Sequence, residues 1–218
     1  MNYYCPMKTH ALKINLPFPI NYQLDKRKGK KLLILLHGFA QSAEYMKQYF
    51  HNLIPEDFDI LIPNGPFPIP KIRRDYIEKR YAWYFFDRHT GKYDIDYSFP
   101  SNLLKELVSS LGYANTSKTI IGYSQGGYLS PFAALELNQV ESIIGIGCTY
   151  KWQFLPDELP YNIYSIHGKK DQIVEIDNSR EHFEELKKRT KLQSSYICLE
   201  NSAHELDADM VNEALKLL

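Results

Sequence analysis

The chain has 218 residues, of which 44% are hydrophobic and 24% are charged, and its formal net charge is +0. This length suits one sizeable hydrophobic core, so we expect a single domain over residues 1–218. The balanced charge argues against a protein that binds nucleic acid or an anionic membrane through overall electrostatic attraction.

The three cysteines, Cys5, Cys148 and Cys198, form a sparse and odd-numbered set that fits a reducing compartment better than a disulfide framework. The first residues lack the basic and apolar regions of a signal peptide. The apolar runs are far shorter than the roughly 18 residues of a membrane span. We therefore expect a cytoplasmic protein without stable membrane insertion, either a monomer or a homodimer.

Strand and helix patterns follow one another along the chain. Residues 10–24 contain two strand-like pieces broken at Pro17 and Pro19, which predicts an antiparallel hairpin at a sheet edge. From Lys31 onward, short apolar runs typical of buried strands alternate with amphipathic helical patterns. The predicted strands are 31–36, 58–63, 118–122, 141–147, 161–167 and 194–200, and the predicted helices are 42–53, 101–111, 126–137, 178–189 and 210–218.

This alternation predicts an α/β fold with a mostly parallel central sheet, helices on both faces and no large cap domain. Ligands bind beyond the carboxyl ends of the strands in such sheets. The sequence Gly122-Tyr123-Ser124-Gln125-Gly126 falls between a predicted strand and a predicted helix, which is the context of a nucleophile elbow. Ser124 is therefore the predicted nucleophile, and the alternative is a solvated serine in a glycine-rich turn.

Two further strand ends supply a candidate acid and a candidate base in the chain order serine, acid, histidine. Asp171 lies in a tight turn after the strand 161–167, and Glu175 and Asp177 are its weaker competitors. His204 is the only histidine after the last strand. An acid in this place fixes the tautomer of the base, and the base takes the proton of the nucleophile.

The loop His37-Gly38-Phe39-Ala40 follows the first buried strand, where a backbone N–H for an oxyanion hole is expected. Phe39 is the first candidate donor and Ala40 the alternative, with the N–H of Gln125 as the second donor. We expect His37 to have a structural role, holding this loop.

The connection 65–100 is long and rich in aromatic residues. We predict that Trp83 and Phe85 line a pocket for an apolar substrate group. The alternative is that these aromatic rings only pack the segment against the protein.

Taken together, these segments resemble the phospholipase/carboxylesterase family of small α/β-hydrolases, which includes acyl-protein thioesterases and bacterial carboxylesterases. The matching elements are Leu36-His37-Gly38, Ser124-Gln125-Gly126-Gly127, His167-Gly168-x-x-Asp171 and the C-terminal His204. The chain departs from the family at Ala40-Gln41, where Gly-Asp is frequent, and beside His204, which is commonly flanked by glycine.

The resemblance implies a serine hydrolase that cleaves carboxylic esters of short to medium acyl chains, or thioesters, through an acyl-enzyme intermediate. Its partner would be a small-molecule or acyl-protein substrate, and neither a metal nor a cofactor is expected. The alternatives are a peptidase or acyltransferase on the same fold, or a catalytically silent binding protein.

Overall fold

The computed structural model describes residues 17–87 and 89–218. Its strands are, in chain order, β1 (Tyr22–Asp25), β2 (Lys31–Leu36), β3 (Phe58–Pro63), β4 (Phe67–Pro68), β5 (Lys71–Ile72), β6 (Ile77–Glu78), β7 (Tyr81–Ala82), β8 (Phe85–Asp87), β9 (Lys92–Ile95), β10 (Ser117–Tyr123), β11 (Val140–Ile146), β12 (Asn162–Gly168) and β13 (Ser194–Leu199). Its helices are α1 (Ala43–Phe50), α2 (Ser98–Ser110), α3 (Gln125–Glu136), α4 (Ile176–Lys187) and α5 (Ala208–Leu215), and a short 3-10 helix covers Trp152–Phe154.

Seven strands form the central sheet in the order β1-β3-β2-β10-β11-β12-β13. β1 pairs antiparallel with β3, and the other neighbours run parallel. The parallel strands read as nearly continuous apolar runs because helices cover both of their faces. The predicted α/β-hydrolase fold class, with its mostly parallel sheet, is therefore confirmed.

The side chains of β2 show how the two faces are divided. Leu32, Ile34 and Leu36 point to one face, where they join a core cluster with residues of α2, α3 and α4. Leu33 and Leu35 alternate to the other face, where α1 and α5 contribute to a second cluster. The sheet is thus buried on both sides, and its carboxyl edge is left for a site.

The predicted elements agree with the structure except at their ends. α2 begins at Ser98, three residues before the predicted start, and contains Pro100 in its first turn. Proline is tolerated there because the first turn has no N–H partner to lose. β1 is an antiparallel edge strand, as the predicted hairpin requires, but the first arm of that hairpin lies outside the described residues.

The connection from β3 to α2 contains short elements that the sequence did not predict. Three two-stranded antiparallel ribbons, β4 with β7, β5 with β6 and β8 with β9, form in the described part of this segment. No helix within residues 17–87 and 89–218 is long and apolar enough to cross a membrane.

Candidate active site

Three predicted residues meet at the carboxyl edge of the sheet. The Oγ of Ser124 lies 3.1 Å from Nε2 of His204, and Nδ1 of His204 lies 2.8 Å from Oδ2 of Asp171. They come from β10–α3, from the loop after β13 and from the turn after β12. The separations of 80 and 33 residues show that the fold, not local sequence, brings them together.

Ser124 occupies a sharp turn between β10 and α3. Its backbone angles are φ 48° and ψ −116°, which L-residues rarely adopt, and its N–H donates to the carbonyl of Ile146 at 2.8 Å. Glycine is required on both sides of it. A Cβ at Gly122 would overlap the backbone of Gly126, and a Cβ at Gly126 would overlap the backbone of Leu36. Both positions therefore need glycine because backbone atoms lie where a side chain would begin.

Asp171 is held by the turn that follows β12. Its Oδ1 accepts the N–H groups of Ile173 and Val174 at 2.8 and 2.9 Å, which leaves Oδ2 for His204. Burial of the carboxyl raises its pKa, but the hydrogen bonds from His204 and from these two N–H groups outweigh burial and lower the pKa below its ordinary value of 3.8. Asp171 is therefore ionised at neutral pH and can accept the Nδ1–H of His204.

The weaker competitors of Asp171 lie elsewhere. Glu175 is the N-cap residue of α4, and Asp177 is in the first turn of that helix. Both side chains are exposed, and His204 pairs with Asp171.

The loop after β2 is held in place by hydrogen bonds of the His37 side chain. This side chain is fully buried, its Nδ1–H donates to the carbonyl of Gly38 at 2.7 Å, and its Nε2 accepts the N–H of Gly65 at 2.8 Å. Burial lowers the pKa of His37 from 6.5 to about 4, although the bond to Gly38 acts in the opposite direction. His37 is thus a neutral imidazole that joins this loop to the segment after β3.

The two predicted donors to an oxyanion are the backbone N–H groups of Phe39 and Gln125. Within the described residues, no hydrogen bond uses the N–H of Phe39 or that of Gln125. The N–H of Ala40, the alternative donor, is committed to the carbonyl of Tyr81 at 2.9 Å. The geometry therefore favours Phe39 over Ala40 as the donor in this loop.

The side chain of Gln125 joins two segments of the chain by hydrogen bonds, a role that the sequence did not predict. Its Oε1 accepts the N–H of Trp83 at 2.9 Å, and its Nε2 donates to the carbonyl of Tyr84 at 2.9 Å. Both contacts are buried, and they span more than 40 residues of the chain. They hold the segment before β8 against the start of α3 and leave only the backbone of Gln125 free for a ligand.

The two predicted pocket residues lie in different surroundings. The indole of Trp83 is fully buried, its Nε1–H donates to the carbonyl of His37 at 2.9 Å, and its ring lies 5.0 Å from the imidazole. Trp83 therefore belongs to the core, and a pocket role for it has no support in its position. Phe85 is half-buried and packs against Phe67 with ring centroids 5.4 Å apart.

A cavity of about 820 Å³ lies beside α3. Its apolar lining comes mostly from aromatic side chains, among them Phe67, Tyr97, Phe99, Phe132 and Phe154, and Leu135 adds an aliphatic one. Phe132 is seven residues beyond Gln125 in α3, or about 10 Å along the helix axis. Phe85 contacts this wall through the ring of Phe67.

The order and direction of the sheet strands, with helices on both faces, are those of an α/β-hydrolase. The sequence profile of the phospholipase/carboxylesterase family matches residues 22–218. The chain belongs to this family, whose members are hydrolases. No curated protein sequence matches it significantly.

Solved structures show the same fold at low sequence identity. The chain is similar to acyl-protein thioesterase 2 of Zea mays, with 14% identity, a TM-score of 0.73 and 92% and 97% of the two chains covered. It is also similar to a carboxylesterase of Bacillus cereus, with 17% identity, a TM-score of 0.71 and coverages of 91% and 92%. A carboxylesterase of Mesorhizobium loti gives 13% identity, a TM-score of 0.70 and coverages of 94% and 97%.

Proposed function

We propose that this hydrolase cleaves carboxylic esters of short to medium acyl chains, or thioesters, through Ser124, His204 and Asp171. The observation that carries the proposal is the pair of contacts at His204. One ring nitrogen lies 3.1 Å from the serine hydroxyl, and the other lies 2.8 Å from a buried carboxylate. This is the arrangement that nucleophilic acyl transfer requires.

The tautomer of His204 follows from its partners. Ionised Asp171 can only accept, so Nδ1 of His204 carries the proton and Nε2 presents a lone pair to Ser124. In the first step Nε2 takes the hydroxyl proton while Oγ forms a bond to the substrate carbonyl carbon. The carbon–oxygen or carbon–sulfur bond of the leaving group then breaks, and His204 gives the proton to the departing alcohol or thiol.

The second step regenerates the enzyme. Water gives a proton to His204 and attacks the acyl-Ser124 ester, and the collapse of this second intermediate returns the proton to Oγ and releases the carboxylic acid. Both intermediates carry a negative oxygen. The N–H groups of Phe39 and Gln125, which have no other hydrogen-bond partner among the described residues, are the proposed donors to this oxygen. The positive end of the α3 dipole, at the helix N-terminus, stabilises the same negative charge.

The substrate class is supported by the surroundings of the triad. Phe39 is 55% exposed and His204 is partly exposed, so an ester can reach Ser124 from solvent. An open site suits short and medium acyl groups. The printed names of the similar structures include both carboxylesterases and an acyl-protein thioesterase, so esters and thioesters are both proposed substrates.

A substrate panel tests this function. We expect hydrolysis of p-nitrophenyl esters from acetate to octanoate, and of the matching thioesters, with amides at least 100-fold slower because the amine is a poorer leaving group. Ser124→Ala must abolish all three activities. Preferred amide cleavage would indicate a peptidase, preferred transfer to an added alcohol would indicate an acyltransferase, and no turnover would indicate a binding protein.

The pocket hypothesis has its own matched pair of variants. Phe85→Ala removes support from the aromatic wall, so we expect a larger loss on octanoate than on acetate. Trp83→Phe should lower stability and leave the chain-length preference unchanged, because its ring lies in the core. If Phe85→Ala kept the wild-type preference between octanoate and acetate, Phe85 would only pack the segment against the protein and would have no role in the pocket.

A further inference from the structure

Tyr123, the residue before Ser124, contacts several parts of the site without touching the reacting atoms. It is the last residue of β10, and its side chain is only 3% exposed. Its hydroxyl donates to the backbone carbonyl of His204 at 2.7 Å. Its ring lies 5.6 Å from the imidazole of His204 and stacks on Tyr45 at 6.0 Å.

The same ring supports the loop after β2. A Cβ at Gly38 would lie 3.2 Å from the Cδ1 and Cε1 atoms of Tyr123, so the ring lies close beside the backbone of this glycine. The side chain is therefore wedged between the base and the loop that carries Phe39. Close packing against His204 on one side and against the loop after β2 on the other fixes the position of the ring.

The His204 loop needs such a support because it is an irregular connection between β13 and α5. The N–H of Lys170 donates a hydrogen bond of 2.9 Å to the carbonyl of Ser202, and the hydroxyl of Tyr123 donates one to the carbonyl of His204. The contact to Tyr123 is made at the backbone of the base residue itself. It links the backbone of the base to the strand that ends at the nucleophile.

Burial raises the pKa of Tyr123 above its ordinary value, and the nearby Tyr45, Asp171 and Glu205 add to this effect. The hydroxyl therefore stays protonated and can donate throughout the neutral pH range. A donor of this kind can set a position but does not switch with pH.

We infer that Tyr123 is a positioning residue of the proposed reaction: its hydroxyl holds the backbone of His204 so that Nε2 faces Ser124 and Nδ1 faces Asp171. This inference rests on the proposed function, because it requires His204 to be the base. A displacement of about 1 Å in a catalytic group can lower a rate by as much as 10²-fold, so one lost contact can matter.

Tyr123→Phe is the test, because it removes the hydroxyl and keeps the ring. The lost hydrogen bond predicts about a fivefold to tenfold fall in kcat with KM changed less than twofold. The matched control is Tyr150→Phe, which removes a hydroxyl bonded to the carbonyl of Tyr164 at the same 2.7 Å, in a residue only 1% exposed. Tyr150→Phe should lower the Tm by a similar amount and leave kcat unchanged.

A spectroscopic readout separates positioning from stability. The proton between Nδ1 of His204 and Asp171 should give a low-field NMR signal in the wild type, and in Tyr123→Phe this signal should broaden through faster exchange with water. The signal should be unaltered in Tyr150→Phe. A Tyr123→Phe variant with wild-type kcat and an unaltered signal would overturn the inference, as would an equal fall of kcat in Tyr150→Phe.

The two proposals fail in different ways. If Ser124→Ala keeps full ester hydrolysis, the proposed function is wrong. If Ser124→Ala is inactive and Tyr123→Phe behaves as the wild type, only the role of Tyr123 is wrong.

Discussion

His37 makes the loop after β2 sensitive to acid. Its Nε2 accepts the N–H of Gly65, so a proton on Nε2 would place two N–H groups against each other in a fully buried site. The pKa of His37 is lowered by burial from 6.5 to about 4 in the folded protein. The unfolded chain therefore binds the proton more readily than the folded chain between these two pH values.

The sign and size of the effect follow from linkage. The contribution of His37 to stability is complete above pH 6.5 and is lost progressively as the pH falls toward 4. Between pH 7 and pH 5 the loss amounts to about 2 kcal/mol in the free energy of unfolding. The carboxyl groups with lowered pKa values titrate mainly below this window and add little to it.

Urea unfolding of the wild type and of His37→Gln at pH 7, 6 and 5 measures this directly. His37→Gln is less stable at pH 7, but its free energy of unfolding should fall by about 2 kcal/mol less than that of the wild type between pH 7 and pH 5. His89→Gln, in an exposed turn, is the control and should follow the wild type. Equal pH dependence in His37→Gln and the wild type would refute the reasoning.

Three further predictions concern single residues of the site. Ala40 has φ 59°, a left-handed conformation that favours glycine. Ala40→Gly should therefore raise the free energy of unfolding, measured by urea titration, by about 1 kcal/mol and keep esterase activity, and a lower free energy of unfolding would contradict this. A Cβ at Gly168 would overlap the backbone of Ser202 and Ala203, so Gly168→Ala should destabilise the protein by about 1–3 kcal/mol and displace His204. Thermal melting and ester turnover measure the two effects, and a wild-type Tm with wild-type turnover would show that a side chain is tolerated at this position. Asp171→Asn should lower kcat by about 10⁴-fold with an unchanged Tm, because an amide no longer selects the Nδ1–H tautomer; a loss below tenfold would show that Asp171 is not the partner acid.

The sequence predicted most of the fold because its signals are local. The run Lys31–Leu36 is apolar at every position but the first, and it forms a strand buried on both faces. The motif around Ser124 predicted a strand-to-helix turn, and the glycines on either side pack against backbone as the motif implies. Chain order then singled out Asp171 and His204, and these two side chains contact each other after β12 and β13.

The remaining features depend on contacts between distant parts of the chain. The preference for Phe39 over Ala40 as the proposed donor depends on Tyr81, whose carbonyl takes the N–H of Ala40. The core position of Trp83 depends on the carbonyl of His37 and on the side chain of Gln125. Local patterns carry no trace of such pairings, so the aromatic residues of this segment could not be divided into core and pocket from sequence.

The central claim is that Ser124 is the residue that forms the acyl-enzyme. Fluorophosphonate labelling followed by peptide mapping tests it most directly, because the reagent reacts with a serine only when a base activates it. We predict a single adduct, on the peptide that contains Ser124, formed at a rate that falls sharply in His204→Ala and absent in Ser124→Ala. An adduct that persists in a folded Ser124→Ala variant, together with unchanged ester hydrolysis, would contradict the claim.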